Sequence, residues 1–216
     1  WVDVNLTALG KLEACKSGEY IKKININIDY FFSSFQLRAI NTLKLIQDTL
    51  RNKREPIKAW QLNERHYGAL TGLNKEEMIK KHGKDKIQKF RRSWDIRPEP
   101  LSRNNPYHPL NIENYKTIPK DKIPDSESLK DTYERVIKYY NSDIKDKLLE
   151  NKNIIISAHG NSIRALCKFL FNLDDNQISL LEIPTGNPLL ITLNENQKIV
   201  DCRYLDKDRA KDLLIF

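Results

Sequence analysis

The sequence predicts an α/β fold: a three-layer sandwich with a mostly parallel central sheet flanked by helices. Three observations carry this expectation. The aromatic run Tyr30-Phe31-Phe32-Ser33-Ser34 suits a buried strand, and apolar residues then recur at Ala39, Leu43, Ile46 and Leu50, the spacing of one helical face. Ile154-Ile155-Ile156 is a β-branched run of the kind found in strands covered on both sides, and Ile163, Leu166, Phe169 and Leu170 place a helix after it. Ahead of that second strand, Leu129, Tyr133, Val136, Ile137, Tyr140, Ile144 and Leu148 form a long amphipathic stripe, with Pro124 marking its entry. Strands joined through helices in this order return to one sheet in parallel.

The remaining elements are shorter. Asn74 and Glu77 have the spacing of a capping box and Gly83 that of a C-terminal stop, which frames a short helix carrying Met78 and Ile79. From about 97 to 124 the chain holds Pro98, Pro100, Pro106, Pro109, Pro119 and Pro124 among Asn and Ser, so it reads as a surface excursion of one domain spanning 1–216. No internal repeat divides the chain.

Composition excludes several classes of protein. With 216 residues, 39% hydrophobic and 31% charged, the chain can bury a substantial core and is not disordered. No apolar run approaches the roughly 18 residues of a membrane span and no secretory leader is visible, which points to a cytoplasmic protein without a membrane partner. The start, Trp1-Val2-Asp3-Val4, has no initiating Met and suggests a fragment or a processed product. Cys15, Cys167 and Cys202 are too scattered for a disulfide framework, and no zinc-type spacing occurs, so no metal is expected. The +8 formal charge, from 37 Lys and Arg against 29 Asp and Glu, accompanies many Asn and Ile. Genome composition gives the same bias, and a nucleic-acid partner is not expected.

Four features could carry chemistry. His159, at the end of an apolar strand and before Gly160, Asn161 and Ser162, sits where backbone N-H groups and a helix N-terminus meet an anion; an N-capping loop with an incidental His would look the same. Asn63-Glu64-Arg65-His66-Tyr67-Gly68 gathers an acid, a guanidinium, an imidazole and a phenol, suited to phosphate binding with proton transfer or equally to a solvated turn. Arg91 and Arg92 repel each other unless a doubly charged anion lies between them, or else they form an exposed basic face. Lys75 in the first turn of its helix and Arg38 just past a strand end are further cations, each also readable as an ordinary surface residue.

Taken together, Trp1-Val2-Asp3-Val4-Asn5-Leu6-Thr7, Ser34-Phe35-Gln36-Leu37-Arg38-Ala39, Leu62-Asn63-Glu64-Arg65-His66-Tyr67-Gly68, Gly72-Leu73-Asn74-Lys75, Arg91-Arg92-Ser93, Ala158-His159-Gly160-Asn161-Ser162-Ile163-Arg164 and Pro184-Thr185-Gly186 resemble, in order and nearly in spacing, the cofactor-dependent phosphoglycerate mutases of the histidine phosphatase superfamily. The resemblance implies a glycolytic and gluconeogenic enzyme that interconverts 3- and 2-phosphoglycerate, primed by 2,3-bisphosphoglycerate as phosphoryl donor, without a metal. It implies Glu64 as proton donor and acceptor and His159 as stabiliser of the phosphoryl group in flight. Arg38, Arg65, His66, Tyr67, Lys75, Arg91, Arg92, Gly160 and Asn161 would bind the phosphate and carboxylate of a small phosphorylated three-carbon acid. It also implies a homodimer or homotetramer.

The chain departs from the family pattern in three places. Family members begin with a first strand leading into an Arg-His-Gly motif whose His is the phosphorylated nucleophile, and none of His66, His82, His108 and His159 matches it. The expectation is therefore a family sheet with its first strand missing, no mutase turnover by these 216 residues alone, and low stability. Asn187 stands where an apolar residue usually follows Pro-Thr-Gly, and the C-terminal tail is short. A shorter tail covers the site less, which leaves two other readings open: a histidine-type phosphatase acting on a small phosphoester, or a catalytically dead anion-binding module.

Overall fold

A computed structural model describes residues 1–73 and 75–209, and for Lys75, Lys81 and His82 it describes the backbone alone. The Asn74 cap and the Lys75 side chain singled out above therefore lie outside the described residues.

In chain order the elements are α1 (Ala8–Ile24), β1 (Tyr30–Ser33), α2 (Leu37–Leu50), β2 (Ile57–Lys58), α3 (Lys75–His82), α4 (Lys84–Arg92), α5 (Leu129–Tyr139), α6 (Lys145–Leu149), β3 (Ile154–Ser157), α7 (Gly160–Leu170), α8 (Asp175–Leu180), β4 (Leu189–Leu193) and β5 (Ile199–Tyr204). The main sheet is parallel, in the order β2-β1-β3, while β4 and β5 form a separate antiparallel hairpin. Alternation along β1 divides the core between the two faces of the sheet. Phe31 packs with Ile28, Leu43 and Ile155 beneath α2, and Phe32 packs with Tyr139, Tyr140, Ile144 and Ile156 beneath the helical run from α5. That run is longer than α5: it passes through a wider π-type turn at Tyr140–Ile144 into α6, which accounts for the whole stripe from Leu129 to Leu148. A capping box starts it, with Ser128 Oγ accepting from Asp131 N–H at 3.1 Å and Asp131 Oδ2 accepting from Ser128 N–H at 2.8 Å.

The proline-rich segment is more than surface. Tyr115, Ile118 and Ile123 are buried with Trp1 in one cluster, and His108 is fully buried. Asn187 is also buried, and its amide satisfies itself on the far end of the hairpin: Nδ2 donates to Asp206 O at 2.8 Å and Oδ1 accepts from Asp206 N–H at 3.0 Å. Between β3 and β4 lies an apolar groove of about 770 Å³, walled by Ile154, Ile155 and Ile156 on one side and Leu189, Leu190 and Ile191 on the other. Among the described residues, β3 pairs only with β1 and β4 only with β5, so each presents a strand edge without a strand partner.

Candidate active site

Parallel pairing aligns the carboxyl ends of the strands, and the site is built there. Ser33 is in register with Lys58 on one side and Ser157 on the other, so the chain leaving β1, β2 and β3 enters the same region. Ser34 Oγ, just past β1, lies 2.7 Å from His159 Nε2, just past β3. Gln36, fully buried, accepts from Glu64 N–H at 2.8 Å through Oε1, and Asn63 Oδ1 accepts from Phe35 N–H at 2.9 Å. These bonds tie the loop after β2 to the loop after β1.

The loop bearing Glu64 is also held from α5. Arg135 donates to the carbonyl oxygens of Gln61, Asn63 and Glu64, and its Nε donates to Glu127 Oε1 at 2.7 Å. Glu127 Oε2 in turn accepts from His66 N–H at 2.8 Å, and Trp1 Nε1 donates to Glu64 O at 2.6 Å. Gly68 closes the loop with φ of 55°, where an added Cβ would meet Glu99 O at 2.1 Å, so this turn requires glycine.

Within this frame Glu64 meets the start of α7. Its Oε1 accepts from Arg65 N–H at 2.7 Å and from Asn161 Nδ2 at 2.8 Å, and the same Nδ2 donates to Tyr67 Oη at 3.0 Å. A Cβ on Gly160 would lie 4.0 Å from Glu64 Oε2, so the carboxylate faces the helix N-terminus across open backbone. Arg65 is wholly buried with its guanidinium 4.4 Å from the centre of the Tyr67 ring; Nη2 donates to Phe90 O at 2.7 Å, while Nε and Nη1 have no protein partner. His66 Nε2 and Arg164 Nε are buried and similarly unpartnered. Unpaired buried donors are costly, and the two on the Arg65 guanidinium suit an anion.

Electrostatics agree with that reading. Burial, reinforced by Arg38 and Arg135, holds His159 well below the ordinary imidazole pKa, so its ring is neutral at pH 7. Burial also lowers His66, to about 3, with His108 adding to the effect; its Nδ1 accepts from Gly68 N–H at 3.0 Å, which leaves the proton on Nε2. Arg38 reaches the same end of the pocket, its Nη1 donating to Val2 O at 3.3 Å. At the other end Arg92, paired with Glu182, and Arg65 both bear on Arg164, whose pKa burial and these two charges push down to about 10.

Glu64, Arg65, Tyr67, His159, Gly160, Asn161, Arg38 and Arg92 thus come together, whereas the His66 ring packs against Trp1 and His108. Arg91 does not join them: it is exposed at the end of α4 and makes no hydrogen bond or ion pair to the site among the described residues. Sequence reasoning missed Ser34, Gln36, Asn63, Glu127, Arg135 and Arg164. Ser34, Gln36, Asn63 and Arg164 lay inside the matched segments, but Glu127 and Arg135 gave no signal. Among the described residues no group of three or more His, Cys, Asp or Glu could hold a metal, and no helix is long and apolar enough to cross a membrane.

The family model of the histidine phosphatase superfamily (branch 1) matches residues 1–204. The chain belongs to that superfamily. It is 75% identical over 216 residues to the 2,3-bisphosphoglycerate-dependent phosphoglycerate mutase of Pelagibacter ubique (strain HTCC1062), covering all of this chain and 91% of that protein. It is 48% identical to the protein of the same name from Caulobacter sp. (strain K31), covering 99% and 89%. Among solved structures, a mycobacterial glucosyl-3-phosphoglycerate phosphatase matches with a TM-score of 0.62 at 18% identity, covering 94% of this chain and 87% of that one. Bacillus stearothermophilus YhfR matches with a TM-score of 0.65 at 18% identity, covering 92% and 83%. At that identity the two structures share the α/β superfamily fold with this chain and nothing finer.

Proposed function

We propose that this chain forms the substrate pocket and proton relay of a 2,3-bisphosphoglycerate-dependent phosphoglycerate mutase, interconverting 3- and 2-phosphoglycerate. The 75% identity to a mutase along the whole chain carries this reading, and the pocket's chemistry supports it. The unpartnered buried donors of Arg65, Nε and Nη1, fit a small, highly anionic acid. Those groups, with Arg38 and the first N–H groups of α7, would also hold 2,3-bisphosphoglycerate, which supplies the phosphoryl group that primes the enzyme.

The chain's own residues supply positioning and charge stabilisation, the main needs of phosphoryl transfer. Arg65 and Arg92 fix one anionic end of phosphoglycerate, and Arg38 stands at the other. Neutral His159 offers one ring N–H to a phosphoryl oxygen beside the α7 N-terminus, where partial positive charge gathers. Glu64, anchored through Oε1, keeps Oε2 for the glycerate hydroxyls: it takes the proton of the attacking hydroxyl and returns it to the leaving oxygen.

The test is an isomerisation assay on the product of the complete gene. Formation of 2-phosphoglycerate from 3-phosphoglycerate, dependent on catalytic 2,3-bisphosphoglycerate and far exceeding phosphate release, is expected, with Glu64→Gln lowering kcat by about 10²–10⁴-fold. Phosphate release without isomerisation would replace the mutase by a phosphatase, and neither product would leave an anion-binding module.

A further inference from the structure

We propose that Arg164 is a positioning residue of the reaction centre: it fixes the direction of the Asn161 carboxamide so that an N–H, and not a carbonyl oxygen, always faces the Glu64 carboxyl group. Arg164 lies one turn after Asn161 in α7 and is buried. Its Nη1 donates to Asn161 Oδ1 at 3.0 Å, and its Nη2 donates to Ile178 O in α8, which holds the guanidinium from the other side. A guanidinium has donors only. The carboxamide must therefore turn its oxygen to Arg164 and its nitrogen the opposite way, where Nδ2 reaches Glu64 Oε1 at 2.8 Å and Tyr67 Oη at 3.0 Å.

The consequence appears when Glu64 carries a proton. An ionised carboxylate would orient Asn161 unaided, because two acceptors repel. A protonated carboxyl, however, can donate to Oδ1 of a flipped carboxamide and be held in that state. Arg164 opposes the flip, since it would set the carboxamide N–H groups against the guanidinium. Glu64 then faces a donor in both protonation states and gives its proton back readily. The position is an expensive one for a cation, buried and repelled by Arg92 and Arg65, and a mere link between α7 and α8 has no need of charge there.

This rests on the mutase reading for its effect on rate, but the orientation can be measured in the ligand-free chain whether or not that reading holds. In the 216-residue protein, NMR should show the Asn161 side-chain N–H protons in contact with the Tyr67 ring, and the contact should persist from pH 8 to pH 3.5. Arg164→Gln, whose amide can accept as well as donate, should lose the contact at low pH, and Arg164→Lys, again a donor only, should keep it. In the complete gene product, Arg164→Gln should lower kcat about tenfold with KM changed less than about twofold, and should move the acid limb of the kcat profile to higher pH; Lys should restore most of both. A wild-type contact that disappears on acidification overturns the proposal, as does an Arg164→Gln enzyme whose KM rises while kcat and its pH profile stay unchanged.

Discussion

His66 and His159 are both buried and both held neutral. For His66 the native pKa is about 3 against an unperturbed 6.5. Above pH 6.5 neither folded nor unfolded chain binds a proton there, and the stability is at its full value. As pH falls from 6.5 toward 3, the unfolded state takes up a proton that the native state refuses, so stability falls by about 1.4 kcal/mol per pH unit for this residue. Urea unfolding between pH 7 and pH 5 should show the decline, and His66→Gln should make it less steep, leaving the part due to His159; parallel slopes for the two proteins would contradict it. Glu127 and Arg135 form a buried ion pair, with side chains 5% and 9% exposed. Replacing Arg135 by Met leaves the buried Glu127 carboxyl group without its counter-charge, with only His66 N–H still donating to it, and releases three carbonyls of the Glu64 loop, so a loss of about 3–5 kcal/mol is expected in the same denaturation assay. A change below about 1 kcal/mol would mean that the pair does not hold the loop. Glu64 and His159 were legible in the sequence because their motifs are contiguous. Arg135 was not, because the partners through which it holds the Glu64 loop are backbone carbonyls some seventy residues away that no side-chain pattern marks.

Legibility among the helices and strands followed the strength of their apolar periodicity. The β1–α2 and β3–α7 units and the run from α5 were readable because Phe, Ile, Leu and Val recur on the buried side. Helix α1 was not, since its buried stripe is Ala14, Ser17, Gly18 and Ile21, small and half polar. Those small residues let α1 approach α2 closely: a Cβ at Gly18 would come within 2.7 Å of Thr49 Cβ. Gly18→Val should therefore force the helices apart and cost about 1–3 kcal/mol. Gly10→Ala, in the first turn of the same helix and 3.2 Å from the Leu6 side chain, should be neutral or stabilising. Equal effects of the two substitutions would show that the close approach is not a constraint. The excursion at 97–124 was legible as irregular chain but not as core, because Tyr115, Ile118 and Ile123 reach their cluster from short 3₁₀ turns with no helical or strand period.

For the molecule as a unit, the parallel sheet with helices on both faces follows from the order of its elements, whereas the separate hairpin and the groove beside it came only from the structure. About 770 Å³ of apolar space between two free strand edges should bind a hydrophobic dye such as ANS under native conditions, and Leu190→Lys should reduce the fluorescence. No enhancement in a folded protein would show that the groove closes in solution. The proposed activity requires one shared hollow, with Arg38 at its His159 end and Arg92 at its Arg164 end. Calorimetric titration of the 216-residue chain with 3-phosphoglycerate, repeated for Arg38→Met and Arg92→Met, measures this. A single site is expected, displaced by 2,3-bisphosphoglycerate and weakened about tenfold or more by either substitution; two independent sites, or a site that ignores one of the two arginines, would contradict it.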